Sequence, residues 1–197
     1  MTTFVSLQGS MAVGKTTVLK YLPQHNSEVV VSYEENRQII AEIQARRLNK
    51  TKFEDFITIQ RLFIQNELTR YAKHVYEKCV VMDFGSEEIE FYTLNYPLSK
   101  GLDWPVADAL TSELDQLKAI QPKRILYLRA SLQTLRRRMK NDATRDRGFF
   151  ETYVATLLPL KEAWFSGNDW VDFLGVDDLS AEELGDTVQE WVTAQLD

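Results

Sequence analysis

The chain has 197 residues, 44% of them hydrophobic, which is enough to bury one sizeable core and fits one domain over residues 1–197. A formal net charge of −6 argues against a surface built to grip DNA or RNA, and a single cysteine, Cys79, excludes an internal disulfide. No apolar stretch approaches a membrane span and the first residues lack a signal-peptide pattern, so the expectation is a cytoplasmic protein with no membrane and no nucleic-acid partner.

The first apolar run, Thr3–Gln8, predicts a strand. It leads directly into Gly9-Ser10-Met11-Ala12-Val13-Gly14-Lys15-Thr16, which fits the phosphate-binding pattern G-x-x-x-x-G-K-[ST]. Thr17 to Tyr21 then reads as a helix, so the loop has the strand before it and the helix after it that the pattern requires. The glycines let the backbone wrap a polyphosphate, and successive N–H groups with the helix N-terminus supply positive potential. On this reading Gly9 through Thr17 bind the phosphates of ATP. Lys15 reaches the β- and γ-phosphates, and the Thr16 hydroxyl ligates Mg²⁺. Pro23 is expected to stop this helix.

A second strand, Glu28–Ser32, runs into Tyr33-Glu34-Glu35-Asn36. A carboxylate there can accept the proton of an attacking hydroxyl, with Glu34 preferred because it lies nearer the strand; the plain alternative is helix-starting acids that complement the macrodipole. Thr51-Lys52-Phe53-Glu54 has capping-box spacing before a long amphipathic helix to about His74. Phe53, Phe56, Ile57, Phe63, Ile64 and Leu68 form its apolar stripe, interrupted by Gln60, whose amide offers a base edge both a donor and an acceptor if it is not simply a surface residue.

The third strand, Cys79–Asp83, places an aspartate after an apolar run, the usual second half of a phosphate-loop site, where it holds Mg²⁺ directly or through water. Asp83-Phe84-Gly85 also spells the D-F-G of protein kinases, but no H-R-D-x-x-x-x-N loop accompanies it and the match is accidental. The aromatic stretch from Glu90 to Tyr96-Pro97, with Gly101 to Trp104, reads either as core with a turn or as the wall of an acceptor pocket.

A fourth strand, Arg124–Arg129, precedes the densest basic cluster, Arg136-Arg137-Arg138, and the polar segment through Arg145 and Arg147. Arginines here can neutralise a transferring phosphoryl group and close over it. Arg138, Arg145 and Arg147 are the candidates within a lid at about 138–148, and Arg136 and Arg137 fit a solvated face. A fifth strand, Val171–Val176, and a capping box at Ser180 to Glu183 before a C-terminal helix complete the pattern. Unbroken apolar strands alternating with helices predict a three-layer α/β sandwich with about five parallel strands and ligands off their carboxyl ends.

These segments together resemble the nucleoside and nucleotide kinase group of P-loop proteins, nearest its deoxynucleoside kinase-like branch, over nearly the whole chain. The resemblance implies Glu34 as base, Gln60 as reader of the substrate base, and Arg136 to Arg147 as an arginine lid. Tyr33, Gln60, Phe63 and Phe84 become the candidates for contact with a small-molecule phosphoryl acceptor. It also implies Asp83-Phe84-Gly85 in the place of an Asp/Glu-Arg-Ser triplet, so that Phe84 replaces an arginine and Gly85 a serine, while Glu35 replaces a proline. The implied activity is transfer of the γ-phosphoryl of Mg-ATP to a nucleoside, nucleotide or similar metabolite. The alternatives are a nucleotide-binding regulator or a degenerate kinase without an acceptor. A GTPase lacks its D-x-x-G at Asp83 to Ser86 and the aspartate of N-K-x-D at Asn49 to Lys52. An apolar helix face would serve either the core or a homodimer.

Overall fold

Runs of valine, isoleucine and leucine too short for helices form five strands, and the amphipathic stretches between them form the crossovers. The structure is a computed structural model and describes residues 2–141 and 148–196. In chain order the elements are β1 (Thr3–Gly9), α1 (Lys15–His25), β2 (Val29–Ser32), α2 (Arg37–Ala45), α3 (Phe53–Ala72), β3 (Cys79–Asp83) and α4 (Ser86–Ser99). There follow α5 (Val106–Ala109), α6 (Thr111–Ala119), β4 (Arg124–Arg129), α7 (Leu132–Asn141), α8 (Phe150–Ser166), β5 (Val171–Gly175) and α9 (Ala181–Thr193). The strands form one five-stranded sheet in the order β2-β3-β1-β4-β5. All pairings are parallel, with Leu7 opposite Asp83 and Gly9 opposite Leu128.

Alternation along the strands builds the layers. Val5 and Leu7 of β1, Cys79 and Val81 of β3, and Leu126 and Leu128 of β4 pack with α1 and α9 through Val18, Leu19, Leu22, Leu184 and Val188. Their neighbours point the other way: Phe4, Val80 and Met82 meet Tyr71 of α3, and Ile125 and Tyr127 meet Phe165 of α8. The sheet is thus covered on both faces, as continuous apolar strands require. Behind α3, α4 and α6 lies a further helical cluster around Phe56, Ile64, Phe91 and Leu117.

Three local expectations are corrected. Pro23 lies inside α1, which continues to His25. The helix tolerates it because the carbonyl that loses its partner, that of Leu19, accepts the Tyr33 hydroxyl at 3.2 Å. Thr51 does not cap α3: the Asn49 side chain takes both the Thr51 amide and its hydroxyl, and the helix starts after Lys52 with no side-chain cap. β5 is an edge strand with a half-exposed face, where Asp172 pairs with Arg124 and accepts from the Trp191 indole. The box at Ser180 and Glu183 forms as read.

The chain leaves β1 for β2 and β3 on one side and takes β4 and β5 to the other. That reversal opens a crevice at the carboxyl end of β1, where ligands bind in such sheets.

Candidate active site

β1 delivers the backbone into the crevice at Gly9, whose φ of +140° and crowded surroundings admit no side chain: a Cβ would stand 2.7 Å from the Leu128 carbonyl and 2.9 Å from Val13 Cγ1. Ala12 at φ +64° and Gly14 at φ +116° turn the chain into α1, whose first residue is Lys15. The product is a cavity of about 830 Å³ lined by Ser10 through Thr17, with Phe84, Arg137, Arg138, Asp177, Ser180 and Leu184. The loop and the N-terminus of α1 line it together, the setting that suits a polyphosphate.

Lys15 lies in this loop with its ammonium 3.8 Å from the centre of the Phe84 ring. Its pKa is pushed down to about 8, first by burial and then by the charge of Lys161, against pulls from Asp83, Glu88 and Glu34. Asp83 stands at the end of β3 directly across from Leu7. Thr16 lines the loop cavity, whereas Asp83 lines neither cavity; a hydroxyl and a carboxylate are the hard oxygen donors Mg²⁺ takes in phosphate sites, where phosphate and water fill the remaining positions. Among the described residues no group of three or more His, Cys, Asp and Glu side chains forms an all-protein metal cage.

A second cavity, about 630 Å³, opens between α2, α3 and α4, lined by Glu34, Asn36, Lys50, Phe56, Gln60, Phe63, Phe84, Glu88 and Tyr92 among others. Phe84 lines both cavities and is the partition between them. It holds a left-handed backbone, φ +55°, unusual for a residue with a side chain. The turn is pinned from below by Glu87, fully buried, whose Oε1 accepts from Ser6, from Gln8 Nε2 at 2.7 Å and from the Gly85 amide at 3.1 Å.

Glu34 opens into the second cavity, yet the protein around it raises its carboxyl above the usual range through desolvation; an Asn36 hydrogen bond opposes the shift, and Glu88 and Asp83 add to it. Gln60 is 2% exposed, which excludes the surface reading, and its Oε1 accepts from Thr93 at 2.8 Å. Phe63 lines the same cavity. Of the ambiguous aromatic stretch, Tyr92 joins this wall while Phe91 and Tyr96 are core and Trp104 packs on Phe53 and Phe56.

The structure does not bring every candidate to the cavities. Tyr33 lines neither, because its hydroxyl is turned to α1. Arg138 reaches the loop cavity as a brace, donating to the Val13 carbonyl at 2.7 Å and the Val176 carbonyl at 2.8 Å. Arg137 lines that cavity too, and Arg136 pairs with Glu151 on the surface. Arg145 and Arg147, with the centre of the expected lid, lie outside the described residues.

Sequence reasoning missed Lys161, Glu88 and Arg70. Lys161 of α8 is 1% exposed, paired with Glu88 at 2.7 Å. Its signal was present: Leu157, Lys161 and Phe165 share one buried stripe, so a lysine stands where the period calls for an apolar residue.

The family described as the AAA domain matches residues 4–154. No curated protein matches the chain. Among solved structures, deoxyadenosine kinase from M. mycoides with dCMP and dCDP bound superposes with a TM-score of 0.74 at 15% identity, over 97% of this chain and 99% of that one. The same enzyme with bound dCTP gives 0.70 at 16%, over 97% and 99% of the two chains. Thymidylate kinase from Candida albicans gives 0.64 at 13%, over 99% and 93%. The fold is therefore that of the P-loop kinases. No described helix is long and apolar enough to cross a membrane.

Proposed function

The chain belongs to the AAA domain family of P-loop proteins, and on that footing we propose that it is a small-molecule kinase moving the γ-phosphoryl of Mg-ATP to a nucleoside, nucleotide or similar metabolite. The observation that carries this reading is the pair of cavities meeting at Phe84, one floored by the phosphate loop and the other holding Glu34. A switch protein has no use for the second cavity. A kinase needs one for its acceptor.

In the loop cavity the amides of Ser10 to Thr17 and the Lys15 ammonium bind the phosphates, and Thr16 with Asp83 would hold Mg²⁺, which supplies charge neutralisation on the phosphate oxygens. In the other cavity, Phe63, Phe56 and Tyr92 offer apolar faces to a ring and Gln60 an amide to its edge. Glu34 accepts the proton of the acceptor hydroxyl as its oxygen bonds to the γ-phosphorus and the bridging bond to ADP breaks. Arg145 and Arg147 are proposed for a lid over 138–148 that neutralises the developing charge, with Arg138 bracing the loop through the Val13 and Val176 carbonyls rather than serving the lid, within one kinase domain working in the cytoplasm.

Relatives of this fold include a deoxyadenosine kinase and a thymidylate kinase, which supports a nucleoside or nucleotide acceptor. In the acceptor wall Glu88 is neutralised by Lys161, and Glu34 stands with Lys50, so the charges of that wall are nearly balanced. One observation favours a second reading: Phe84 stands where the resembled kinases carry an arginine, as in a chain that binds ATP without transferring it. Acceptor-dependent ADP release by the wild type separates the two, since a chain that only binds ATP shows none. In a kinase Glu34→Gln abolishes most of that release and leaves ATP affinity within about threefold; unchanged release would remove Glu34 from the mechanism.

A further inference from the structure

A buried lysine–glutamate pair is weak as a stabilising device, since desolvating two charges offsets most of their attraction. Lys161 and Glu88 form such a pair, and apolar residues would serve the α8 stripe equally well. The position of the pair is what distinguishes it. The Lys161 ammonium lies 4.5 Å from the centre of the same Phe84 ring that Lys15 caps at 3.8 Å, and 3.4 Å from the carbonyl of Gly9, the first residue of the loop. Among the described residues its polar neighbours are the Glu88 carboxylate, an ion pair without hydrogen-bond geometry, and the Gly9 carbonyl at a long 3.4 Å.

Lys161 itself lines neither cavity and stands behind Phe84, the ring that lines both. We propose that Lys161 is a second phosphate-binding lysine, held there by Glu88 so that its charge acts on the terminal phosphoryl group of the nucleotide in the loop. The inference rests on the reading of the loop cavity as a triphosphate site. Two ammonium groups set against one ring repel each other, and a polyphosphate in the loop would relieve that repulsion. Phe84 is then the ring on which both lysines rest.

The alternative is that Lys161 only neutralises Glu88, and removing both charges together separates the two. The test is calorimetric titration of Mg-ATP and Mg-ADP into wild type and the double variant Lys161→Met with Glu88→Gln, which leaves neither charge unpaired. Thermal melting confirms that both are folded. The expected result is a double variant that binds ADP within about twofold of wild type but binds ATP about tenfold more weakly. An ATP-to-ADP ratio equal in the two proteins overturns the proposal. ATP binding that depends on Lys161, with no transfer to any acceptor, upholds it while the kinase reading falls. A wild type that binds neither nucleotide overturns both.

Discussion

Arg70 donates to the backbone carbonyl of Phe84 at 2.6 Å, and so fixes from α3 the one left-handed residue that separates the two cavities. The same guanidinium reaches the Ser32 and Asp83 carbonyls at 3.2 and 3.3 Å, so it ties the carboxyl ends of β2 and β3 together at the level where Glu34 and Asp83 emerge. Glu67 holds it in a bidentate pair at 2.8 and 2.9 Å, and both side chains are buried.

Arg70→Met therefore leaves a buried carboxylate without its partner and should cost about 3–5 kcal/mol in urea unfolding. Arg70→Met with Glu67→Gln should recover a large part of that loss. If the double variant is no more stable than the single, the clamp is not held by this pair.

Tyr33 was a candidate for substrate contact, and the structure gives it another duty. Its hydroxyl serves the Leu19 carbonyl that Pro23 leaves without a donor. Tyr33→Phe should lower stability by about 1 kcal/mol and leave the acceptor KM unchanged, since the group is half-exposed and lines neither cavity. A several-fold rise in KM with no change in melting would return it to the substrate site.

Lys15 carries a folded pKa of about 8, below its ordinary 10.5, so its charge burdens the fold fully below about pH 8 and progressively less as pH climbs toward 10.5. Lys15→Met removes that burden, and its melting temperature at pH 7 should equal or exceed wild type while ATP binding is lost. Binding phosphates restores the proton, so ATP binding at pH 8 should take up about half a proton, read from titrations in buffers of different ionisation enthalpy. No uptake would show that Lys15 is already fully charged in the free protein.

The strands and the loop were legible because each is a local signal: a run of apolar residues, or a fixed spacing of glycines before a lysine. The same locality explains the errors. Pro23 reads as a stop because nothing nearby in sequence reveals Tyr33, and Thr51 reads as a cap because Asn49 competes for it through a side chain. Of the site, the residues after β1, β2 and β3 could be named from position alone. Lys161 and Glu88 could not, because they come from α8 and α4 and become neighbours only through packing. Arg138 shows the converse: its motif was visible, and only the fold reveals that two carbonyls occupy its guanidinium.

Glu34 has its carboxyl raised by desolvation, so the acid limb of the transfer rate should lie above the ordinary carboxylate range, with activity rising as the group loses its proton. Because the folded value exceeds the unfolded one, ionised Glu34 opposes folding above it, and Glu34→Gln should melt no lower than wild type at pH 7. The substitution should cut kcat by about 10²–10⁴-fold and abolish that limb. An acid limb that survives in the variant belongs to another group.

The most direct measurement is ADP release from Mg-ATP against a panel of nucleosides, deoxynucleosides and nucleoside monophosphates, in wild type and Lys15→Met. The expected result is release that rises with one nucleoside, deoxynucleoside or nucleoside monophosphate, saturates with it, and disappears in the variant. ATP bound with no acceptor-stimulated release anywhere in the panel, or release that persists without Lys15, would contradict it.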